Sequence, residues 1–232
     1  MKAMILAAGR GERMRPLTDT CPKPLLQVGG KPLIVWQVER LAAAGITDLV
    51  INHAHLGAQI EASLGDGRRY GARITYSREA EALESAGGVV NALHLLGPAP
   101  FLIVSADIYV ECDYRLLAEN ALEDGTLALL WLVANPTWHA RGDFALVDGF
   151  LRLDREPRLT YANIGIFHPK FFSGIEAGTK YPLLPLFNRA IAAGLVRGAV
   201  LGGVWDNLGT PLQLAALDEA LKNRVATRNQ FQ

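Results

Sequence analysis

The run Ala3-Met-Ile-Leu-Ala-Ala8 is apolar throughout, too short for a helix, and closed by Gly9. A segment apolar on both faces must be covered on both, so this one predicts a buried parallel strand inside an α/β sheet. The residues after it narrow the choice further. Gly9-Arg-Gly11-Glu-Arg13-Met-Arg15-Pro-Leu-Thr18 places two glycines and three arginines in one loop. Glycine lets a backbone approach a ligand closely and expose its N–H groups. Arginine offers planar, permanently charged forks that match phosphate oxygens. The C-terminal end of a first parallel strand is where open α/β sheets take their ligands. Neither common phosphate loop fits: Gly9 has no partner for G-x-x-x-x-G-K-[ST], and Met14 stands where the dinucleotide fingerprint needs its third glycine.

Past Cys21-Pro22-Lys23-Pro24-Leu25 and a Gly29-Gly30 turn, apolar periodicity over Leu33 to Ala44 predicts a helix that Gly45 ends. Leu49 to Ile51 reads as a second buried strand, Leu56 to Leu64 as a short helix and Arg73 to Tyr76 as a third strand. This alternation implies a mainly parallel sheet with right-handed crossovers. A helix opening near Ser85 and running to about Leu96 would present free N–H groups and a positive dipole end at its start. Pro100 to Ala106 is a fourth strand, and it delivers Asp107 at its end. A carboxylate in that place is costly unless it holds a cation or begins a turn. The rest reads as a helix near Tyr114 to Leu122, a strand Thr126 to Val133, a hairpin around Asp148-Gly149 and a strand Leu159 to Phe167. Helices at 169–173 and 183–193, a strand at 196–201 and a helix at 211–224, capped by Thr210, complete the chain before a frayed tail at 227–232. His53 and His55 form an H-x-H that can ligate a metal. No Cys or carboxylate nearby completes a set, so polar strand-end residues are the stronger reading.

Composition excludes some classes. Lysine plus arginine and aspartate plus glutamate number 23 each, which gives no electrostatic case for nucleic acid or an anionic membrane. The longest apolar run, Leu127 to Ala134, is far short of a membrane span. No signal-peptide pattern opens the chain, and Cys21 and Cys112 suggest no disulfide framework, so the expected location is cytoplasmic. Cys21 reads as a small space-filler before it reads as a reactive thiol.

The whole string Leu6-Ala-Ala-Gly9-x-Gly11-x-Arg13-Met-x-Pro-Leu-Thr18, followed by Pro22-Lys23-Pro-Leu25, resembles the signature of the sugar-1-phosphate nucleotidyltransferases. The resemblance implies a Rossmann-like three-layer α/β/α fold with a mixed, mainly parallel central sheet and a small β-rich lobe on the sugar side. It implies a Mg²⁺-dependent reaction of an NTP with a sugar 1-phosphate, giving an NDP-sugar and pyrophosphate. Carried over residue by residue, it marks Arg13 and Lys23 as catalytic and sets Leu6, Ala7, Ala8, Gly9 and Gly11 at the NTP phosphates. Glu79, Ser85 and Gly87 would surround the base, with Glu81 as the alternative to Glu79. Gly142, Asp143 and Asn163 would contact the sugar, and Asp107 would hold the metal. The family's Trp-x-[Asp/Asn]-x-Gly-Thr matches Trp205 to Thr210 and gives Asn207 as the second metal ligand, with Asp206 as the alternative. Ser105-Ala106 stands where the family carries Asn-Gly or Gly.

Within the family, Lys2 to Gly9, Arg13 to Thr18, Ile51 to Ala54 and Arg141 to Phe144 are most like the N-acetylmuramate-1-phosphate uridylyltransferase branch. That branch implies UTP as donor and a place in peptidoglycan recycling. The mannose-1-phosphate guanylyltransferase and glucose-1-phosphate thymidylyl- or uridylyltransferase branches are alternatives, and so is a non-catalytic nucleotide-sugar sensor. The likeness spans nearly the whole chain, so 1–226 reads as one domain, with a nucleotide-binding half at 1–110 and a sugar-binding half at 111–226. The expected partners are the two substrates, not nucleic acid or a membrane, and the expected state is a monomer or homodimer.

Overall fold

The pivot of the fold is β1 (Ala3–Leu6), whose alternate residues bury against opposite layers. The computed structural model describes residues 1–120 and 122–230, with 225–230 described by backbone alone. From β1 the chain passes through three single 3-10 turns and a small ribbon of β2 (Gln27–Val28) and β3 (Lys31–Pro32) into α1 (Leu33–Ala43). Then come β4 (Asp48–His53), α2 (Gly57–Leu64), β5 (Arg73–Arg78), α3 (Glu84–Leu96) and β6 (Phe101–Ser105). These strands lie in the order β5-β4-β1-β6, all parallel. The chain reverses its direction of winding between β4 and β6, so the crevice beyond the end of β1 is the topological switch point.

The second half continues with β7 (Ile108–Glu111), α4 (Tyr114–Ala118), β8 (Ala128–Val133), β9 (Phe144–Val147), β10 (Phe150–Arg152) and β11 (Arg158–Phe167). It ends with α5 (Leu184–Ala192), β12 (Val196–Val200), β13 (Val204–Asn207) and α6 (Pro211–Gln230). β11 joins the sheet antiparallel to β6, and β8, β12, β10 and β9 complete a mixed nine-stranded sheet. The β9–β10 hairpin folds back onto the start of β11, which builds the β-rich lobe.

Three layers follow from period-two alternation. Ile5, Ile51 and Val104 face one core with Val38 and Leu41 of α1 and Ile60 of α2. Met4, Val50 and Ile103 face the other, with Val89 of α3 and Phe187 of α5. A smaller cluster joins Val28, Leu33, Tyr109, Leu208, Leu217 and Leu221, and so docks α6 beside α1.

Several elements differ from the sequence reading. The expected helix near Tyr114 to Leu122 stops at Ala118, with residue 121 outside the described residues. Residues 169–173, read as a helix, form a 3-10 turn at Pro169–Phe172. The last helix runs to Gln230, so 227–230 continue it, while 231 and 232 lie outside the described residues. The pair β7–β13 has no counterpart in the sequence reading. It is antiparallel, with Asn207 opposite Ile108 and Val204 opposite Glu111.

Gly203 is what lets the chain enter that pair. Its φ is +91°, and a Cβ there would sit 2.1 Å from the Glu111 carbonyl oxygen. Gly203→Ala is therefore expected to cost about 1–3 kcal/mol of stability, read as a lower urea midpoint at unchanged m value.

Candidate active site

The loop after β1 is held open by its own residues. Gly11 adopts a left-handed φ of +70°, and the buried Thr18 hydroxyl donates to the Gly11 carbonyl oxygen at 2.9 Å. Met14 is fully buried beneath the loop. Arg10 pairs with Asp19 at 2.9 Å, and Arg15 pairs with Glu12 at 3.1 Å and Asp19 at 3.3 Å. Two of the three loop arginines are thus committed to the loop's own carboxylates. Arg13 instead lines a cavity of about 240 Å³ with Gly9, Gly11, Lys23, Asp107 and Gly209.

Beside it opens a larger cavity of about 510 Å³, walled by Leu6, Ala7, Ala8, Gly9, Ser85, Lys23 and Asp107. Lys23 and Asp107 belong to both spaces and meet each other, Nζ to Oδ2, at 2.6 Å. The lysine side chain is 10% exposed and the aspartate 34% exposed. A cation this deeply buried needs a partner, and here each charge satisfies the other.

Asn52, at the end of β4, also lines the large cavity, and sequence reasoning assigned it no role. Its Oδ1 accepts from the Ala7 N–H at 3.0 Å, and its Nδ2 donates to Glu79 Oε1 at 2.7 Å. Glu79 Oε2 accepts from the Leu83 N–H at 2.9 Å. Glu79 is buried and absent from the cavity wall, so it fixes Asn52 and the entry to α3 rather than facing a base. Glu81 is exposed and also absent from that wall. Gly88 leaves room for this network, since a Cβ there would lie 2.6 Å from Asn52 Nδ2. Asn52 carried a signal comparable to that of Asp107: a polar residue closing an unbroken apolar strand.

The expectation of free N–H groups at the start of α3 needs correction at two positions. The N–H groups of Ala86 and Gly87 both donate to the Tyr181 carbonyl oxygen, at 3.0 and 2.9 Å. A Cβ on Gly87 would lie 2.2 Å from the Thr179 carbonyl oxygen, so this glycine admits the 179–181 segment instead of a ligand. That segment brings Lys180 to the cavity, together with Glu84, which is held at a φ of +62°.

A third cavity, of about 270 Å³, is lined by Trp138, His139, Asp143, Tyr161, Asn163 and Asn207. Asn163 sits at φ +57° in an irregularity of β11 between Tyr161 and Gly165, a device that re-aims a side chain. Asp143 accepts from the Tyr161 N–H at 2.8 Å and meets His139 Nε2 at 3.0 Å. Gly142, at φ +64°, lies on the neighbouring outer cavity, packed against Asn135 and the Arg158 backbone.

Asn207 Oδ1 is buried and has no hydrogen-bond partner among the described residues. An orphaned carbonyl oxygen costs about 1–3 kcal/mol unless something binds it. The β7–β13 pair sets Asn207 opposite Ile108, next to Asp107, and the Leu208 N–H donates to the Asp107 carbonyl oxygen at 2.9 Å. An oxygen-seeking divalent cation fits this carbonyl–carboxylate pair. Asp206 lies opposite Tyr109, on the face away from Asn207, and is absent from the walls of all three cavities. Burial pushes its carboxyl above the usual carboxylate range.

The two histidines go separate ways: His55 Nε2 meets the Thr18 carbonyl oxygen at 3.0 Å, and His53 Nε2 meets Glu61 Oε1 at 2.7 Å. Burial raises the Cys21 thiol, the opposite of what an activated thiolate needs.

A family model described as Nucleotidyl transferase matches residues 2–142. The chain is 50% identical over 220 residues to the N-acetylmuramate alpha-1-phosphate uridylyltransferase of Neisseria meningitidis, covering 92% of this chain and 95% of that one. The protein of the same name from Caulobacter vibrioides is 34% identical over 233 residues, covering 94% and 96%. A solved structure from Bacillus anthracis, in complex with sucrose and provisionally described as a glucose-1-phosphate thymidylyltransferase, superposes with a TM-score of 0.83. At 24% identity over 95% of both chains, that likeness concerns the fold alone.

Arg78 forks Glu61 through Nε at 2.6 Å and Nη2 at 2.7 Å. That hydrogen bonding, with His53 behind it, lowers the Glu61 carboxyl from its ordinary 4.5 to about 2. A depressed carboxyl contributes stability above its unfolded value and loses it as pH falls toward the folded one. Glu61→Gln is therefore expected to be less stable than the parent at pH 7. The gap should close between about pH 4.5 and 2 in denaturant unfolding across that range.

Proposed function

The chain belongs to the nucleotidyl transferase family, and we propose that it transfers a uridylyl group from UTP to N-acetylmuramate 1-phosphate, releasing pyrophosphate, as a step of peptidoglycan recycling. One observation carries the reading. Lys23 and Asp107 stand where the phosphate-side cavity and the large cavity meet, and Asn207, beside Asp107 in sequence pairing, opens on the third. The likeness to the Neisseria relative over almost the full length of both chains supports the substrate pair.

The chemistry needs no protein nucleophile. A phosphate oxygen of the sugar attacks the α-phosphorus in line and the bond to pyrophosphate breaks, so the chain must bring two anions together and hold them. Backbone N–H groups of the Gly9–Gly11 loop and the free guanidinium of Arg13 draw the charge of the departing pyrophosphate. Lys23 leaves its pairing with Asp107 and takes phosphate oxygens of both substrates. Asn52 keeps Ala7 in place under the nucleotide, while Ser85 and the start of α3 border the base. Asp143, Asn163 and the walls around them receive the sugar.

The family generally uses a divalent metal. Here Asp107 and Asn207 would hold Mg²⁺, which would supply Lewis-acid neutralisation of phosphate charge. On this reading residues 1–110 form the nucleotide half and 111–226 the sugar half of one domain.

The test is pyrophosphate release with Mg²⁺, crossing UTP, GTP, dTTP, ATP and CTP with the 1-phosphates of N-acetylmuramate, N-acetylglucosamine, mannose and glucose. Release is expected with UTP and N-acetylmuramate 1-phosphate. A different productive pair would move the pathway, and silence from folded, nucleotide-binding protein would favour a sensor. Lys23→Ala and Asp107→Ala are each expected to lower kcat by about 10²–10⁴-fold without unfolding the chain. Asn207→Ala should raise the Mg²⁺ concentration needed for half-maximal rate, and Asp206→Asn should not.

A further inference from the structure

The acceptor cavity continues beyond Asn163 and Asp143. Trp138 and His139 belong both to it and to an outer cavity of about 740 Å³, whose wall includes Arg141, Glu156 and Arg158. Arg158 is held in place: its Nη2 donates to the Leu153 carbonyl oxygen at 2.6 Å and it ion-pairs with Glu156 at 3.2 Å, although its buried Nε makes no hydrogen bond among the described residues. Arg141 is not. Among the arginines with described side chains, only Arg13 and Arg141 have no ion pair, hydrogen bond or ring contact. Both line cavities, Arg13 beside Lys23 and Asp107, and Arg141 on the outer cavity that shares Trp138 and His139 with the acceptor space.

The backbone that carries Arg141 is fixed on both sides. Asn135 Nδ2 donates to the Ala140 carbonyl oxygen at 3.1 Å, the Gly142 N–H donates to the His139 carbonyl oxygen at 3.1 Å, and the Asp143 N–H donates to the Leu159 carbonyl oxygen at 2.9 Å. Arg141 is exposed, so the pinned loop fixes where its side chain starts and leaves the guanidinium free to take an anion that the protein itself does not supply.

We infer that Arg141 recognises a carboxylate on the acceptor sugar, at the end remote from the anomeric phosphate. This rests on the substrate reading above: N-acetylmuramate is N-acetylglucosamine bearing a lactyl ether, and the ether adds one carboxylate. The guanidinium fork matches that group in shape as well as charge. Arg141 thereby separates the acid sugar from its neutral parent and takes no part in the transfer itself.

The experiment compares kcat/KM for N-acetylmuramate 1-phosphate and N-acetylglucosamine 1-phosphate, at saturating UTP, in the full-length parent, Arg141→Met and Arg141→Lys. Arg141→Met is expected to lose about 10- to 100-fold on the acid sugar, mainly through KM, and to change by less than about threefold on the neutral one. Arg141→Lys, which keeps the charge and loses the fork, should fall between. Equal losses on both sugars would mean a merely structural residue, and an unchanged preference would mean no role; either overturns the inference while the substrate reading stands. A parent enzyme that ignores N-acetylmuramate 1-phosphate overturns the substrate reading and this inference together.

Discussion

The site depends on the 2.6 Å contact between the Lys23 ammonium and the Asp107 carboxylate. Each group is placed by a different piece of chain. Lys23 opens a 3-10 turn after the phosphate-side loop, and Asp107 follows β6, the neighbour of β1 at the switch point. Removed from water singly, either charge would be costly; together they let the protein keep both at the base of the crevice. On the proposed function, the same pair exchanges partners when phosphate arrives. An ammonium and a carboxylate are then each free to bind a charge of opposite sign.

Around that contact the fold keeps three kinds of support. The sheet supplies direction, because parallel strands β4, β1 and β6 end together and aim Asn52, Ala7 and Asp107 at one crevice. A buried polar chain supplies precision, running from Leu83 through Glu79 and Asn52 to the Ala7 N–H. It is fully hydrogen-bonded, so it stiffens the loop instead of leaving charge unsatisfied. The β7–β13 ribbon supplies convergence: it carries Asn207 from near the end of the chain to the side of Asp107. Trp205 ties the ribbon to β11 by donating from Nε1 to the Ala162 carbonyl oxygen at 2.9 Å.

Much of this was legible in the residues. The apolar run of β1 and the glycine-rich loop mark the switch point, and Leu6 to Gly9 and Lys23 line one cavity there with Ser85 and Asp107, which the sequence offers through separate motifs. What was not legible is tertiary. Nothing local in Glu79 tells that Asn52, distant in sequence, claims its carboxylate. Nothing in Ala86-Gly87 tells that the Tyr181 carbonyl oxygen takes both N–H groups. The strands β7 and β13 are four residues each and gain their definition only from one another, so neither rises above turn chemistry in a linear reading. The motif points to Asn207 with Asp206 as the alternative, but nothing local tells that Asn207 borders a cavity with its Oδ1 unpartnered while Asp206 faces away from it.

The central claim is that Asp107 and Asn207 share one cation while Lys23 turns to phosphate. A crystal structure with Mg²⁺ and a non-hydrolysable UTP analogue tests it directly. The account predicts one ion bound by both side-chain oxygens at about 2.0–2.1 Å, with Lys23 Nζ withdrawn from Asp107 onto a phosphate oxygen. An ion bound by Asp206 in place of Asn207, or Lys23 still paired with Asp107 in the presence of the nucleotide, would contradict it.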